Sequence, residues 1–465
     1  MNLEKRNTVN ALGIWIVGLT LVAYLGLFFR DIIIARFFGI NKDLDFLYLA
    51  LILPGLLTNV VSQSLGATIT PLFQKEHQKS PRSEAQAYAA EAMTFILGIL
   101  IISALLVLLI PSSWYAPFIK FTSLTDIEHF SSYVKFSIGI LLLGGVTILG
   151  NSILNALGKA KKSSGAQMAL SFGTIAFIFC LVPYYRVKGV IFSMILGQLA
   201  NLILVCFFCY QEGYKLWHLK MPTKDFYKKT LSGYINLTFA ALASGILLPA
   251  IQLLAGRLDQ GSVSTFTLGN KITVFTTHII SLSMNFVMLP YFSNLITNDQ
   301  KSKGINELSY YLKRGLIVGI LFSFFIFAMA PFLIEILFVN SKIPLSDRQS
   351  IARVMQLGVL QIPFFMIIFL IQKYATAIQK TSIVLFSSLL TTIIAIIGSL
   401  LFLTTFGVKG LIGSIVVGNA IGAFYIALRV FKLGEISKRT LVFIFWSCGI
   451  FALLIFIMET LLKKI

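Results

Sequence analysis

Stretches of about 20 apolar residues, enough to cross a roughly 30 Å hydrocarbon core, follow one another from Asn10 to Leu462 with little polar chain between them. A chain of 465 residues that is 57% hydrophobic and only 12% charged has more apolar surface than a soluble globule can bury; soluble domains stand nearer about 45–50% apolar and about 25% charged. The chain therefore reads as an all-α polytopic membrane protein. Spans are predicted near residues 10–34, 45–72, 89–111, 130–157, 163–183, 188–211, 233–256, 264–292, 310–339, 350–378, 381–406, 408–430 and 440–462. The longest segments between them, near 112–130 and 212–232, are too short to house a soluble domain. The N-terminal apolar run meets no small-residue cleavage site before Arg30, so it is expected to stay as the first transmembrane helix.

The excess of 38 Lys+Arg over 18 Asp+Glu, a net charge of +20, would point to nucleic acid in a soluble protein. Here no nucleic-acid motif accompanies it, and basic clusters such as Lys159, Lys161 and Lys162, or Lys432, Lys438 and Arg439, follow even-numbered spans. That is the bias of cytoplasmic loops, and it places the N-terminus in the cytoplasm. Gly158–Ser164 lacks the second glycine and the spacing of a phosphate-cradling loop, so ATP hydrolysis is not expected. Four scattered histidines (His77, His129, His218, His278) give no basis for a catalytic metal, and no cofactor is implied. Cys180, Cys206, Cys209 and Cys448 lie in apolar runs and read as buried filler.

An internal repeat gives the architecture. Val187-Lys-Gly-Val-Ile-Phe-Ser-Met-Ile-Leu-Gly197-Gln recurs as Val408-Lys-Gly-Leu-Ile-Gly-Ser-Ile-Val-Val-Gly418-Asn, so that Val187 and Val408 stand 221 residues apart. Ser64–Phe73 likewise matches Ser283–Phe292, with Pro71 answering Pro290 at an offset of 219. An offset of six helices gives both copies the same orientation, predicting two six-helix bundles related by a pseudo-two-fold axis along the membrane normal. The bundles are expected over 1–215 and 216–432, with an extra C-terminal transmembrane helix over 433–465. Ser193 with Gly197, and Ser414 with Gly418, form small faces for close helix packing.

Ionisable residues within spans cost at least about 2.5 kcal/mol at the bilayer centre, which makes them functional candidates. They are Arg30, Asp31, Arg36, Asp45, Lys135, Lys271, Glu335 and Lys373. Arg36, Asp45, Lys135 and Lys373 stand near span ends, where snorkelling explains them. Arg30, and Lys271 beside Asn270, are candidates for a cationic cavity that attracts phosphate, the alternative being a neutralised pair of Arg30 with Asp31 or Asp45. Glu335, after Pro331, reads equally as a helix-end anchor or a proton-exchanging group. The amides Asn59, Gln63, Asn151, Asn155, Gln198, Asn236, Gln252, Asn285 and Asn419 form a polar seam that suits helix packing and, collectively, a hydroxyl-rich sugar.

The run Leu25-Gly-Leu-Phe-Phe-Arg30-Asp31-Ile-Ile-Ile-Ala-Arg36-Phe-Phe-Gly39, followed by Asp45-Phe46, Leu53-Pro54-Gly55-Leu-Leu57 and Pro71-Leu-Phe73, resembles the lipid II flippase (MurJ/MviN) family of the multidrug/oligosaccharidyl-lipid/polysaccharide exporter superfamily. The resemblance implies a flippase of the bacterial cytoplasmic (inner) membrane that moves a polyprenyl-diphosphate-linked saccharide outward by alternating access. It implies as partners the lipid-linked saccharide, membrane lipids and other cell-envelope synthesis proteins. By position it carries over Arg30 as a cavity arginine, Asp45 as the acid opening the second span, and Lys271 where the family has arginine. Thr58 and Asn59 stand where the family has two basic residues, and Val274 where it has an acid. Arg30, Asp45, Thr58, Asn59, Asn270 and Lys271 are thus candidate substrate-binding residues, with Asp31 and Glu335 candidates for coupling. The substrate implied is lipid II or another lipid-linked saccharide such as an O-antigen or exopolysaccharide repeat unit. A cation-coupled multidrug exporter on the same scaffold is the alternative, though spans 163–183, 233–256 and 381–430 lack the acids it needs.

Overall fold

The computed structural model describes residues 3–79, 81–117, 119–120 and 123–462. The side chains of Gln63, Asn236 and Asn285 lie outside the described residues. Sixteen α-helices are described: α1 (Leu3–Phe38), α2 (Lys42–Ala50), α3 (Ile52–Lys79), α4 (Arg82–Leu109), α5 (Leu124–Ala156), α6 (Ala160–Gln211), α7 (Lys224–Gly245), α8 (Leu247–Ala255), α9 (Ser262–Gly269), α10 (Lys271–Ser283), α11 (Leu289–Thr297), α12 (Lys301–Phe338), α13 (Leu345–Val359), α14 (Ile362–Ala377), α15 (Thr381–Lys432) and α16 (Lys438–Leu462). Among the described residues nine helical stretches are long and apolar enough to cross a membrane. Two of these, α6 and α15, are 52 residues long and each is two legs joined at a break, which gives the paired spans expected at 163–211 and 381–430.

The repeat extends to the helix ends. α5 runs from Leu124 to Ala156 and α13–α14 from Leu345 to Ala377, while α6 and α15 start and stop at matching positions, 221 residues apart. The breaks correspond as well: Arg186 has φ 50° and ψ −128°, and Gly407 has φ 53° and ψ −135°. After each break the chain doubles back so closely that a side chain at Gly189 would meet the Leu181 carbonyl oxygen at 2.6 Å, and one at Gly410 the Phe402 carbonyl oxygen at 2.6 Å. Ser193 Oγ donates to the Gly189 carbonyl at 2.7 Å, and Ser414 Oγ to that of Gly410 at 2.7 Å. Phe73 and Phe292, the ends of the second sequence match, are both fully buried, edge-on to Tyr214 at 5.1 Å and to Tyr374 at 5.4 Å.

Positive φ costs a residue with a Cβ about 1–3 kcal/mol outside the regions it normally occupies. The second copy meets the break with glycine and the first with arginine. Arg186→Gly should therefore raise stability by about 1 kcal/mol and Gly407→Ala should lower it by about 1–3 kcal/mol, as read by thermal unfolding in detergent.

By contacts the chain forms two compact units, Met1–Ser264 and Thr265–Ile465. The packing division thus falls later than the repeat boundary expected at 215/216, because α7 lies along α3 inside the first unit. In that unit α5 packs on α6, α1 on α6 and α3 on α5, around a core that includes Phe73, Leu100, Leu149, Ile153, Val205 and Tyr214. In the second unit α14 packs between α12 and α15, and α16 lies on α12 and α15, around Leu308, Leu312, Ile367, Ile371, Tyr374 and Ile426. Leu105, Leu106 and Leu109 on α4, Leu400 and Leu401 on α15, and Trp446 and Phe456 on α16 are exposed, as helices that meet lipid require. Cys180 is also exposed on α6, not buried as expected, whereas Cys209 and Cys448 are buried; an apolar run supplies filler to lipid as readily as to a core.

Four expected spans are broken helices, of which 45–72 parts at Leu51 between α2 and α3 and 350–378 at Leu360–Gln361 between α13 and α14. The 233–256 span is interrupted at Ile246 between α7 and α8, three residues ahead of Pro249, and the 264–292 span at Asn270 and again by a π turn at Met284–Met288 ahead of Pro290. Proline lacks the N–H that would continue the ladder. Gly269 eases the Asn270 joint, since a side chain there would meet the Ile351 carbonyl oxygen at 2.9 Å.

Candidate functional site

Broken helices inside a bilayer leave backbone groups that side chains must answer, and the second unit puts amides at its joints. Asn270 separates α9 from α10 and Gln361 separates α13 from α14. Asn419, on the second leg of α15, donates through Nδ2 to Gln361 Oε1 at 3.0 Å, and Gln361 Nε2 donates to Asn270 Oδ1 at 3.4 Å. All three are buried, as is Thr273, whose hydroxyl has no partner among the described residues. Gly358 lets this seam close up, a side chain there meeting Thr273 Oγ1 at 3.0 Å and Asn270 Oδ1 at 3.2 Å. Lys271, half-buried, opens α10 directly after Asn270, and its charge reaches His278 two turns along the same helix.

In the first unit Arg30 is half of a neutral pair. Its Nε donates to Asp31 Oδ1 at 2.8 Å and its Nη2 lies 2.7 Å from the same oxygen, with Asp31 buried. Tyr48, also buried, lies within the field of Asp31, Arg30 and Asp45, and its hydroxyl has no hydrogen-bond partner among the described residues. Asp45 is committed to the start of α9: Oδ2 accepts from the Gly261 N–H at 2.6 Å, and Oδ1 accepts from the Ser264 N–H at 2.8 Å and from Ser264 Oγ at 2.5 Å. A carboxylate answering the orphan N–H groups of a first turn is a helix cap. Gly261, at φ +89°, supplies the tight turn that aims its N–H there.

The remaining candidates are dispersed. Thr58 has a buried hydroxyl without a partner among the described residues, facing Gly144 and Gln198, while Asn59 on the next position is exposed. Gln198 donates to Thr147 Oγ1 at 3.1 Å, and Asn151 accepts from Ser163 Oγ at 2.9 Å, so both serve helix packing. Glu335 pairs with Arg348 Nη1 at 2.5 Å, tying the end of α12 to the start of α13. Arg30, Asp31, Asp45 and Tyr48 thus group in the first unit, Asn270 and Lys271 group in the second, and Glu335 stands apart from the Asn270 seam.

The sequence reading missed Gln361, whose signal was an amide two residues before Pro363 in an apolar span. It also missed Arg353, which lies within the expected 350–378 span and pairs with Glu459 on α16.

A family model described as "MurJ: Lipid II flippase MurJ" matches residues 34–463. The chain belongs to that family. It is a family of transporters rather than enzymes, and its members are multi-pass proteins of the bacterial inner membrane, as this chain is. A probable lipid II flippase MurJ of Buchnera aphidicola subsp. Schizaphis graminum is 23% identical over 448 residues, covering 94% of this chain and 85% of that protein. The solved lipid II flippase MurJ in an inward closed conformation superposes with a TM-score of 0.77 at 16% identity, covering 96% of this chain and 93% of the other. An inward-facing multidrug resistance MATE transporter of the MOP superfamily gives a TM-score of 0.70 at 14% identity, covering 90% of this chain and 95% of the other. The family's fold thus includes the six-helix repeat, and its model extends over the Asn270 seam, Lys271 and Asp45.

Proposed function

We propose that the protein moves lipid II, a saccharide on a polyprenyl diphosphate, from the cytoplasmic to the outer leaflet by alternating access. The family match over residues 34–463 carries this reading. The N-terminus lies on the cytoplasmic side, where the basic clusters gather. Lys271, half-buried at the start of α10 in the second unit, is the cation that attracts the diphosphate, while the charge of Arg30 in the first unit is already answered by Asp31. An arginine held by Asp31 must give up that pair before it meets an anion, which weakens its attraction. The buried amides Asn270, Gln361 and Asn419 offer the hydroxyl-rich sugar hydrogen bonds to exchange, while the prenyl chain stays in lipid. Asp31 and Glu335 are the acids through which ion coupling acts.

Thr58 and Asn59 favour one second reading, in which a different polyprenyl-diphosphate saccharide is carried. Depletion of the protein in its own host, with mass analysis of lipid-linked saccharides, separates the two. Lipid II is expected to accumulate several-fold before lysis. Unchanged lipid II with accumulation of another lipid-linked glycan contradicts the proposal.

A further inference from the structure

The α14–α15 turn and the far end of α15 enclose a cavity of about 300 Å³ whose lining includes Lys380, Ser382, Phe386, Tyr425, Arg429 and Lys432. Three of these are cations. Among the described residues none of the three forms an ion pair with a carboxylate; Arg429 Nε donates only to Tyr425 Oη at 3.2 Å, with the guanidinium 5.4 Å from the same ring centre.

The repeat provides an internal comparison. The matching turn of the first copy also carries lysines, but there Glu212 pairs with Lys162 at 2.8 Å and with Lys159 at 3.5 Å. Lys162 beside it holds the Glu212 carboxyl below the usual carboxylate range. The residue at the same place in the second copy is Leu433. One copy neutralises its turn with its own acid, and the other keeps its cations and replaces the acid by an apolar side chain.

Helix dipoles do not account for the cluster. Arg429 and Lys432 sit in the last turn of α15, where a cation is favourable. Lys380, however, is the N-cap of the same hairpin's first leg, at the positive end of that dipole. The bias toward basic cytoplasmic loops accounts for lysines on this side, but not for a cavity lined by three cations with the acid removed. Each leg of α15 is roughly 38 Å long at about 1.5 Å per residue, so this end reaches the membrane interface. The flank beside the cavity is apolar and open, with Phe386 60% and Leu433 41% exposed. Cations beside an outward apolar flank at an interface match a phosphate joined to acyl chains, and basic pockets between transmembrane helices are recognised sites for such headgroups.

We propose that Lys380, Arg429 and Lys432 bind the phosphate of an anionic phospholipid whose acyl chains lie against Phe386 and Leu433. The full-length protein in neutral detergent is titrated with phosphatidylglycerol, with phosphatidylethanolamine of the same chains, and with water-soluble glycerophosphate, and the melting temperature is followed. Phosphatidylglycerol is expected to stabilise the protein at the lowest concentration. Its half-maximal concentration should rise about fivefold in Lys380→Gln and again in the Lys380→Gln/Arg429→Gln double variant, the size expected for each cation near an anionic lipid. Leu433→Glu, which restores the acid of the first copy at an exposed position, should raise it about tenfold or more without lowering the lipid-free melting temperature. Equal responses in the wild type, Lys380→Gln and Leu433→Glu would overturn the proposal. So would a full response to glycerophosphate, which would assign the site to a soluble phosphate.

Discussion

Asp45→Ala should destabilise the protein by about 3 kcal/mol, the order expected when a cap is lost and buried donors are left without an acceptor. Two backbone N–H groups and the Ser264 hydroxyl converge on this carboxylate, and the side chain is 6% exposed, so water does not replace it. Asp45→Asn keeps one oxygen acceptor and should recover more than half of the loss. Thermal unfolding in detergent measures the difference, and amide exchange should place the loosening at residues 259–266. A role confined to binding substrate predicts instead that both variants melt like the wild type and differ only in transport.

Lys271→Glu should reduce transport roughly 100-fold or more, because an attraction of a few kcal/mol for a diphosphate becomes a repulsion of similar size. Lys271→Arg should keep most of the activity. Neither variant should change expression or melting temperature greatly, since Lys271 is only half-buried. Arg30→Gln is the milder change: it removes the guanidinium that pairs with buried Asp31, so its effect falls on stability as well as on transport. Full transport by Lys271→Glu would remove the cationic basis of the mechanism.

Long apolar runs and the twice-used V-K-G motif made the helix count and the repeat legible, because a glycine held against a carbonyl, as Gly189 and Gly410 are, tolerates no other residue. The paired spans within α6 and α15 were legible for the same reason. Hydropathy does not encode where an apolar helix breaks: Pro290 and Pro363 mark the neighbourhood of the π turn at Met284–Met288 and of the Gln361 joint, but the joint at Asn270 has no proline beside it and was invisible until the backbone was seen. Charged candidates could be found from their cost in lipid, but their partners could not. Arg30 had two acids within reach in sequence and takes the adjacent one, while Asp45 turns to residues more than 200 positions away. That pairing depends on tertiary packing, which no local pattern records.

Passage of lipid II through this protein is tested most directly by the leaflet in which lipid II resides. In spheroplasts of the native host, a membrane-impermeant lipid II-cleaving enzyme reads the outer-leaflet fraction before and after depletion. Lipid II should stay abundant while the cleavable fraction falls about tenfold, restored by the wild-type chain and not by Lys271→Glu. An unchanged cleavable fraction after depletion would contradict it.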